Sequence, residues 1–155
     1  MGDVVRIEDF YENAPVIEFL YRTGQMLNLR FEKLDQTVVL ESVRAAVNRW
    51  PGRCMLEFAV AESTILTKDC PVVEPDELAP YYLFFIELQE AGKSLSDTEK
   101  QAVCDIAIVF CTQSGTFDVL KDYLLENTGA TANQYKVPRK LRTYVMVDTL
   151  LKGMV

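Results

Sequence analysis

Apolar residues recur at three- and four-residue spacing along much of the chain, and polar or helix-breaking residues fall where helices would begin and end. Asn13, Ala14 and Pro15 open a segment in which Leu20, Leu27, Phe31 and Leu34 follow helical spacing. Pro15 sits in the first turn, where its missing amide proton costs nothing, and the pattern predicts a helix to about Leu34. Asp35 is placed to cap a second helix carrying Val39, Val43, Ala46 and Val47, which stops at Pro51-Gly52. From Arg53 to Leu66 the run CMLEFAVAESTIL is apolar on most faces. A helix apolar nearly all round belongs at the middle of a bundle, so this stretch is expected to be the central helix.

Beyond it, Lys68 to Asp76 contains Pro71 and Pro75 and reads as a loop. Ala79 to Glu90 is apolar and aromatic, ending at Gly92, and its core YYLFFIEL fits either a helix or a buried strand. Ser96-Asp97-Thr98-Glu99 matches a capping box that predicts a helix to about Gln113. After a break at Ser114-Gly115, Phe117 to Glu126 reads as a short amphipathic helix, Asn127 to Val137 as a loop, and Arg139 to Lys152 as a last helix. Val4, Val5, Ile7, Phe10 and Tyr11 fit a short first helix. The expectation is an all-α fold, one domain over residues 1–155, with seven or eight helices around an apolar central one.

Composition changes the picture mainly by exclusion. The 155 residues hold 16 Lys and Arg, 23 Asp and Glu and no histidine, for a net charge of −7. Absence of histidine removes imidazole-based acid–base catalysis and nearly every zinc site. The acidic balance argues against a protein that coats nucleic acid phosphates. Cys54, Cys70, Cys104 and Cys111 form no C-x-x-C pair and read as free thiols of an intracellular protein. No secretory signal is legible at Met1 to Val5. The longest uncharged run, Ile106 to Phe117, is far short of the roughly 20 residues that cross a bilayer. There is no glycine-rich phosphate loop, nucleophile elbow or metal-ligand cluster, so no enzyme and no cofactor are expected.

Three stretches, in order, resemble the Bcl-2 family of apoptosis regulators. Leu20 to Phe31 is similar to the third homology motif, with Leu20, Gly24, Leu27, Arg30 and Phe31 in register. Val38 to Asn48 resembles the helix leading into the first motif, and Trp50, Gly52 and Arg53 continue it with Pro51 added. Gln113 to Leu120 is similar to the second motif, one residue shorter and with Phe117 for tryptophan. Compact, anchorless members are typical of virus-encoded homologues.

The resemblance implies an inhibitor of apoptosis that takes the BH-three helix of pro-apoptotic partners into an apolar groove, a helix-in-groove interaction. Its floor would come from Leu27, Phe31, Val39, Val43 and Val60, with Leu120 closing one end. Arg53 would pair with the partner's aspartate, Gly52 would admit the partner backbone, and Arg30, Glu41, Arg44 and Asn48 would form the polar rim. Gln25 in place of an acidic residue favours a receptor over a ligand. The protein would act in the cytosol, host cytosol if viral, or peripherally at mitochondria. A pro-apoptotic member of the same fold and an unrelated helical adaptor are the alternatives. Read without the resemblance, Leu27, Phe31, Val39 and Val43 are also ordinary core, and Arg53 could pair with Glu57 four residues on. The cluster Lys136, Arg139, Lys140 and Arg142 fits a solvated helix face or a contact with anionic lipid, and Tyr81 to Ile86 either core or a homodimer surface.

Overall fold

Strands, not helices, form the centre of the molecule. The computed structural model describes residues 3–22, 24, 26–29, 31–50, 52–66, 70, 80–89 and 107–154. Strands β1 (Asp3–Tyr11) and β2 (Ala14–Arg22) make an antiparallel hairpin. Helix α1 (Gln36–Val47) follows, then β3 (Met55–Glu62), β4 (Tyr82–Leu88) and β5 (Ala107–Thr112), and finally helices α2 (Thr116–Asn127) and α3 (Tyr144–Leu151). The second sheet runs in the order β3-β4-β5, with β3 and β4 antiparallel and β4 and β5 parallel. The expected all-α bundle is therefore incorrect: the fold is mixed α/β.

The misreading has a physical cause. A strand buried on both faces shows no apolar–polar alternation and is indistinguishable by periodicity from a buried helix. Phe58, Ala59, Val60 and Ala61 of β3 are all buried, as is every residue of β4. Phe58, Val60, Tyr82, Phe84, Ile86 and Leu88 point to one face, where Val39, Val43 and Val47 of α1 and the indole of Trp50 cover them. Ala59, Ala61, Leu83 and Phe85 point to the other, under Phe117, Leu120 and Leu124 of α2 and Val147, Leu150 and Leu151 of α3. The supposed central helix is thus an internal strand, and Tyr82–Leu88 is the buried strand alternative, neither helix nor exposed dimer surface.

Local signals were read more faithfully where their partners are local. Asp35 caps α1, its carboxylate accepting from the Thr37 and Val38 amides. Gly115, at φ 89°, makes the break before α2. The last helix begins only at Tyr144, and the proposed helices at residues 4–11 and 15–34 are replaced by the hairpin and a short loop. The capping box at Ser96–Glu99 lies outside the described residues.

The hairpin is amphipathic in the strand sense. Val5 faces Phe19 and Ile7 faces Ile17 across the pair, while Arg6 on the opposite side meets Glu8 and Glu18. Val5, Ile7, Ile17 and Phe19 are all exposed.

Both edges of the three-stranded sheet are closed by the segment that surrounds α3. Arg139–Leu141 lies parallel to β3, with the Val60 amide donating to the Arg139 carbonyl at 2.8 Å and the Leu141 amide to the Val60 carbonyl at 2.8 Å. At β5 the Gln113 amide donates to the Gly153 carbonyl at 2.8 Å, beside a bridge between Thr112 and Met154. The backbone of Gly153 lies so near the Thr116 side chain that a Cβ there would come within 2.3 Å of it.

Candidate functional site

The basic residues near the end of the chain line a cavity. Their place is set by the sheet edge: Val60 needs backbone partners, and Arg139–Leu141 supplies them in extended form instead of the predicted helix. This anchors a loop, residues 130–138, over the end of α2. A cavity of about 620 Å³ opens there between Leu124, Gln134, Tyr135, Lys136, Arg142 and Met146, with Thr128, Ala130, Pro138 and Lys140 completing its wall.

The cations differ in how they are held. Lys140 Nζ lies 2.6 Å from Glu62 Oε1 and donates to the Met26 carbonyl at 3.0 Å. Arg142 donates to the Gly24 carbonyl. Arg139 pairs with Glu57, donates to the Phe58 carbonyl at 2.8 Å, and stacks 4.5 Å above the Phe58 ring. Lys136 is exposed at the mouth. The Tyr135 hydroxyl is buried and has no hydrogen-bond partner among the described residues. Burial chiefly, then the carboxylates of Glu57 and Asp118, pushes its pKa up, opposed by Arg139. It therefore stays protonated and able to donate at neutral pH. With Lys136, Lys140 and Arg142 in a partly apolar wall, the cavity suits the anionic end of a small organic molecule.

Of the residues expected to floor a helix-binding groove, Leu27, Val39, Val43 and Val60 meet in one buried core cluster and not in an open groove. Leu27 is buried, tied to Leu34 by reciprocal backbone bonds of 2.9 Å, whereas Phe31, at φ 70°, is 90% exposed on the turn between them. Val39 and Val43 pack onto the sheet, and Glu41 is exposed elsewhere on α1. Val60 of β3 packs in the same closed core as Val39 and Val43, whereas Leu120 lies in the cluster on the opposite face of the sheet. Arg53 is not on a helix with Glu57, whose carboxylate instead meets Arg139. Arg30, Gln25 and Pro51 lie outside the described residues. Arg44, Asn48, Gly52 and Arg53 do gather where α1 turns into β3, Gly52 at φ 70° making that turn. Cys54 and Cys70 are free thiols, the first exposed and the second buried, and Cys111 is buried in the core. Cys104 lies outside the described residues.

Tyr135 and Gln134 were missed because they sat in a stretch read only as a loop; an aromatic between polar residues and a basic cluster was the available signal.

The fold matches solved structures of an acyl acid amido synthetase. The GH3.15 acyl acid amido synthetase superposes with a TM-score of 0.70 at 18% identity, covering 100% of this chain and 31% of that one. No family model matches. The chain is 28% identical over its whole length to a GH3 domain-containing protein of Mus musculus, of which it covers 31%. It is 31% identical to the indole-3-acetic acid-amido synthetase GH3.8 of Oryza sativa subsp. indica over 97% of this chain and 27% of that protein. The chain thus spans under a third of the length of these relatives. These similarities overturn the Bcl-2 resemblance and, with it, the apoptotic function, the BH-three partners and a viral role. The short homology motifs fall on the end of a hairpin strand and the stretch after it, on a helix, and on a strand-to-helix turn. The rice relative and the matching solved structure are named as synthetases, so the expectation of a non-enzymatic binder is overturned as well.

Proposed function

We propose that the chain is the α/β portion of a GH3-type acyl acid amido synthetase, acting on a small carboxylic acid and an amine. The observation that carries this reading is the 31% identity to the rice enzyme across 97% of the chain, on a backbone that matches the GH3.15 synthetase with a TM-score of 0.70. The cavity at Tyr135 and Lys136 is compatible in kind. When an amine nitrogen attacks an acyl carbon that carries a leaving group, negative charge gathers on the acyl oxygen before the C–O bond to that group breaks and the nitrogen gives up a proton. Fixed donors aimed at that oxygen lower the barrier. In this reading the Tyr135 hydroxyl and the Lys136 ammonium serve the anionic group, while Lys140 and Arg142 hold the wall through Glu62, Met26 and Gly24.

The test is a segment exchange. The matched region of the rice synthetase is replaced by this chain, and conjugate formation from indole-3-acetate and an amino acid is followed by mass spectrometry under the conditions in which the intact rice enzyme forms product. The expected result is product at a measurable rate, lowered at least tenfold by Lys136→Ala. A folded, monodisperse exchange protein that forms no conjugate would overturn the proposal.

A further inference from the structure

The stretch between β2 and α1 is tied to the rest of the fold by side chains. Arg142 donates to the Gly24 carbonyl and Lys140 Nζ to the Met26 carbonyl at 3.0 Å. Glu62 Oε1 accepts from the Asn28 amide at 2.8 Å, and the Tyr82 hydroxyl accepts from the Leu29 amide at 3.1 Å. The approach is close: a Cβ at Gly24 would come within 2.3 Å of the Arg142 guanidinium. Leu27, buried and bonded to Leu34, anchors the middle. Gly24 and Met26–Leu29 thus form a strap pinned by one side chain after another, each of which can let go without the next.

Two of the pins belong to the wall of the cavity at Tyr135 and Lys136, since Lys140 and Arg142 both line it. Lys140 is therefore shared. Its ammonium lies 2.6 Å from Glu62 Oε1, the oxygen that also accepts from Asn28, and the two side chains are only 19% and 13% exposed. Solvent screens such a pair little, and an anion inside the adjoining cavity meets the same ammonium on comparable terms. Beyond the strap, Phe31 and Lys33 stand at φ 70° and 51°. Left-handed backbone costs a non-glycine residue energy and persists only while its surroundings impose it, so the segment is pinned against its own local preference.

We infer that the Glu62–Lys140 pair is an autoinhibitory latch: Glu62 competes with an anion in the cavity for Lys140, and an anion that wins draws Lys140 off the Met26 carbonyl and loosens the strap. The inference rests on the reading that this cavity takes an anionic group. It adds that the empty cavity holds the strap shut with its own cation, and that Glu62 lowers affinity for the ligand. A carboxylate with a purely structural role would have the opposite effect, since its loss would weaken the wall and the binding with it.

The experiment is hydrogen–deuterium exchange on the whole chain, followed in a peptide covering Met26–Leu29, with and without indole-3-acetate and its uncharged analogue indole-3-acetamide. Isothermal titration gives the affinities, and thermal melts establish that each variant is folded. Indole-3-acetate should speed exchange in the strap at least about fivefold, whereas indole-3-acetamide should not. Lys140→Met should show the faster exchange with no ligand present and no further rise on adding the acid. Glu62→Gln, which keeps an acceptor for Asn28 but removes the charge, should bind indole-3-acetate at least about threefold more tightly. Lys152→Gln, which removes a cation paired with Asp148 at the end of α3, should behave as the wild type in both assays. Unchanged strap exchange in ligand-free Lys140→Met would overturn the latch whether or not any acid binds. Slowed or unchanged exchange in the wild type on adding the acid, or equal or weaker binding by Glu62→Gln, would overturn it as well. Amide formation by the exchanged synthetase is read separately, so the synthetase reading and the latch can fail independently.

Discussion

Glu87 is the only carboxylate in the fully buried strand β4, and replacing it tests how the two helical layers are joined to the sheet. Its side chain reaches the start of α2, where Oε1 accepts from the Gly115 amide at 2.9 Å and Oε2 from the Phe117 amide at 3.1 Å. Gly115 has no side chain with which to cap that helix, so Glu87 performs the task from another element. In Glu87→Gln one oxygen becomes an NH₂ that faces an amide donor, removing one charge-assisted hydrogen bond of about 1.5–3 kcal/mol. The charge at the helix N-terminus goes too, roughly 0.3–1 kcal/mol, while relief from burying a charge works in the opposite direction. A net loss of about 2–3 kcal/mol lowers Tm by roughly 5–10 °C in a chain of this size. Glu87→Met, which leaves both amides unpaired, should cost more. Differential scanning calorimetry at neutral pH reads both variants. A Glu87→Gln shift below about 2 °C would refute the capping argument and mean that α2 is held by Phe117 and Leu120 alone.

Four further outcomes follow from the same structure. Tyr82, buried and donating its hydroxyl proton to Glu32, has its pKa raised chiefly by burial. Its stabilising effect is complete below the ordinary tyrosine value of about 10 and is lost as pH rises above it toward the folded value, so melting temperature should fall more steeply above pH 10 in the wild type than in Tyr82→Phe. At neutral pH Tyr82→Phe itself costs about 1–2 kcal/mol by urea denaturation, because the Leu29 amide loses its 3.1 Å acceptor. Arg139→Met removes the Glu57 pair and the Phe58 carbonyl bond and should destabilise by roughly 1–3 kcal/mol in the same assay, with Arg139→Met plus Glu57→Leu recovering much of the loss. Ile17→Glu on the exposed hairpin face should change the stability of this chain by less than about 0.5 kcal/mol.

Where partners are close in sequence, the chain was legible. Asp35 and its two amides lie within three residues, and the helix starts where expected, though it ends at Val47, before the expected stop at Pro51-Gly52. Where partners are distant, pattern failed. Met55–Glu62 and Tyr82–Leu88 owe their strand form to each other and to Ala107–Thr112, and burial on two faces erased the alternation that would have announced it. Glu87 was a signal left unread: one charge inside a run of six apolar residues requires a buried partner, and a helix bundle offered none. The basic cluster was noticed, but its extended form at Arg139–Leu141 depends on Val60, some eighty residues earlier. Assigning three short homology motifs to one family gave weight to spacing that strands and turns share with helices.

The clasp formed by Arg139–Leu141 and Gly153 has a kinetic consequence. A sheet with open sides is a template for any passing strand, and here both sides stay open until residues near the end of the described chain arrive to cover them. The intervals to be closed, from Val60 to Arg139 and from Gln113 to Gly153, are long, so the entropy of bringing their ends together is spent before the edge bonds compensate it. The half-assembled sheet, with β3 and β5 uncovered, is therefore the species most exposed to pairing with its own kind. The rate at which these edges are covered therefore sets how long the open sheet can pair with another copy.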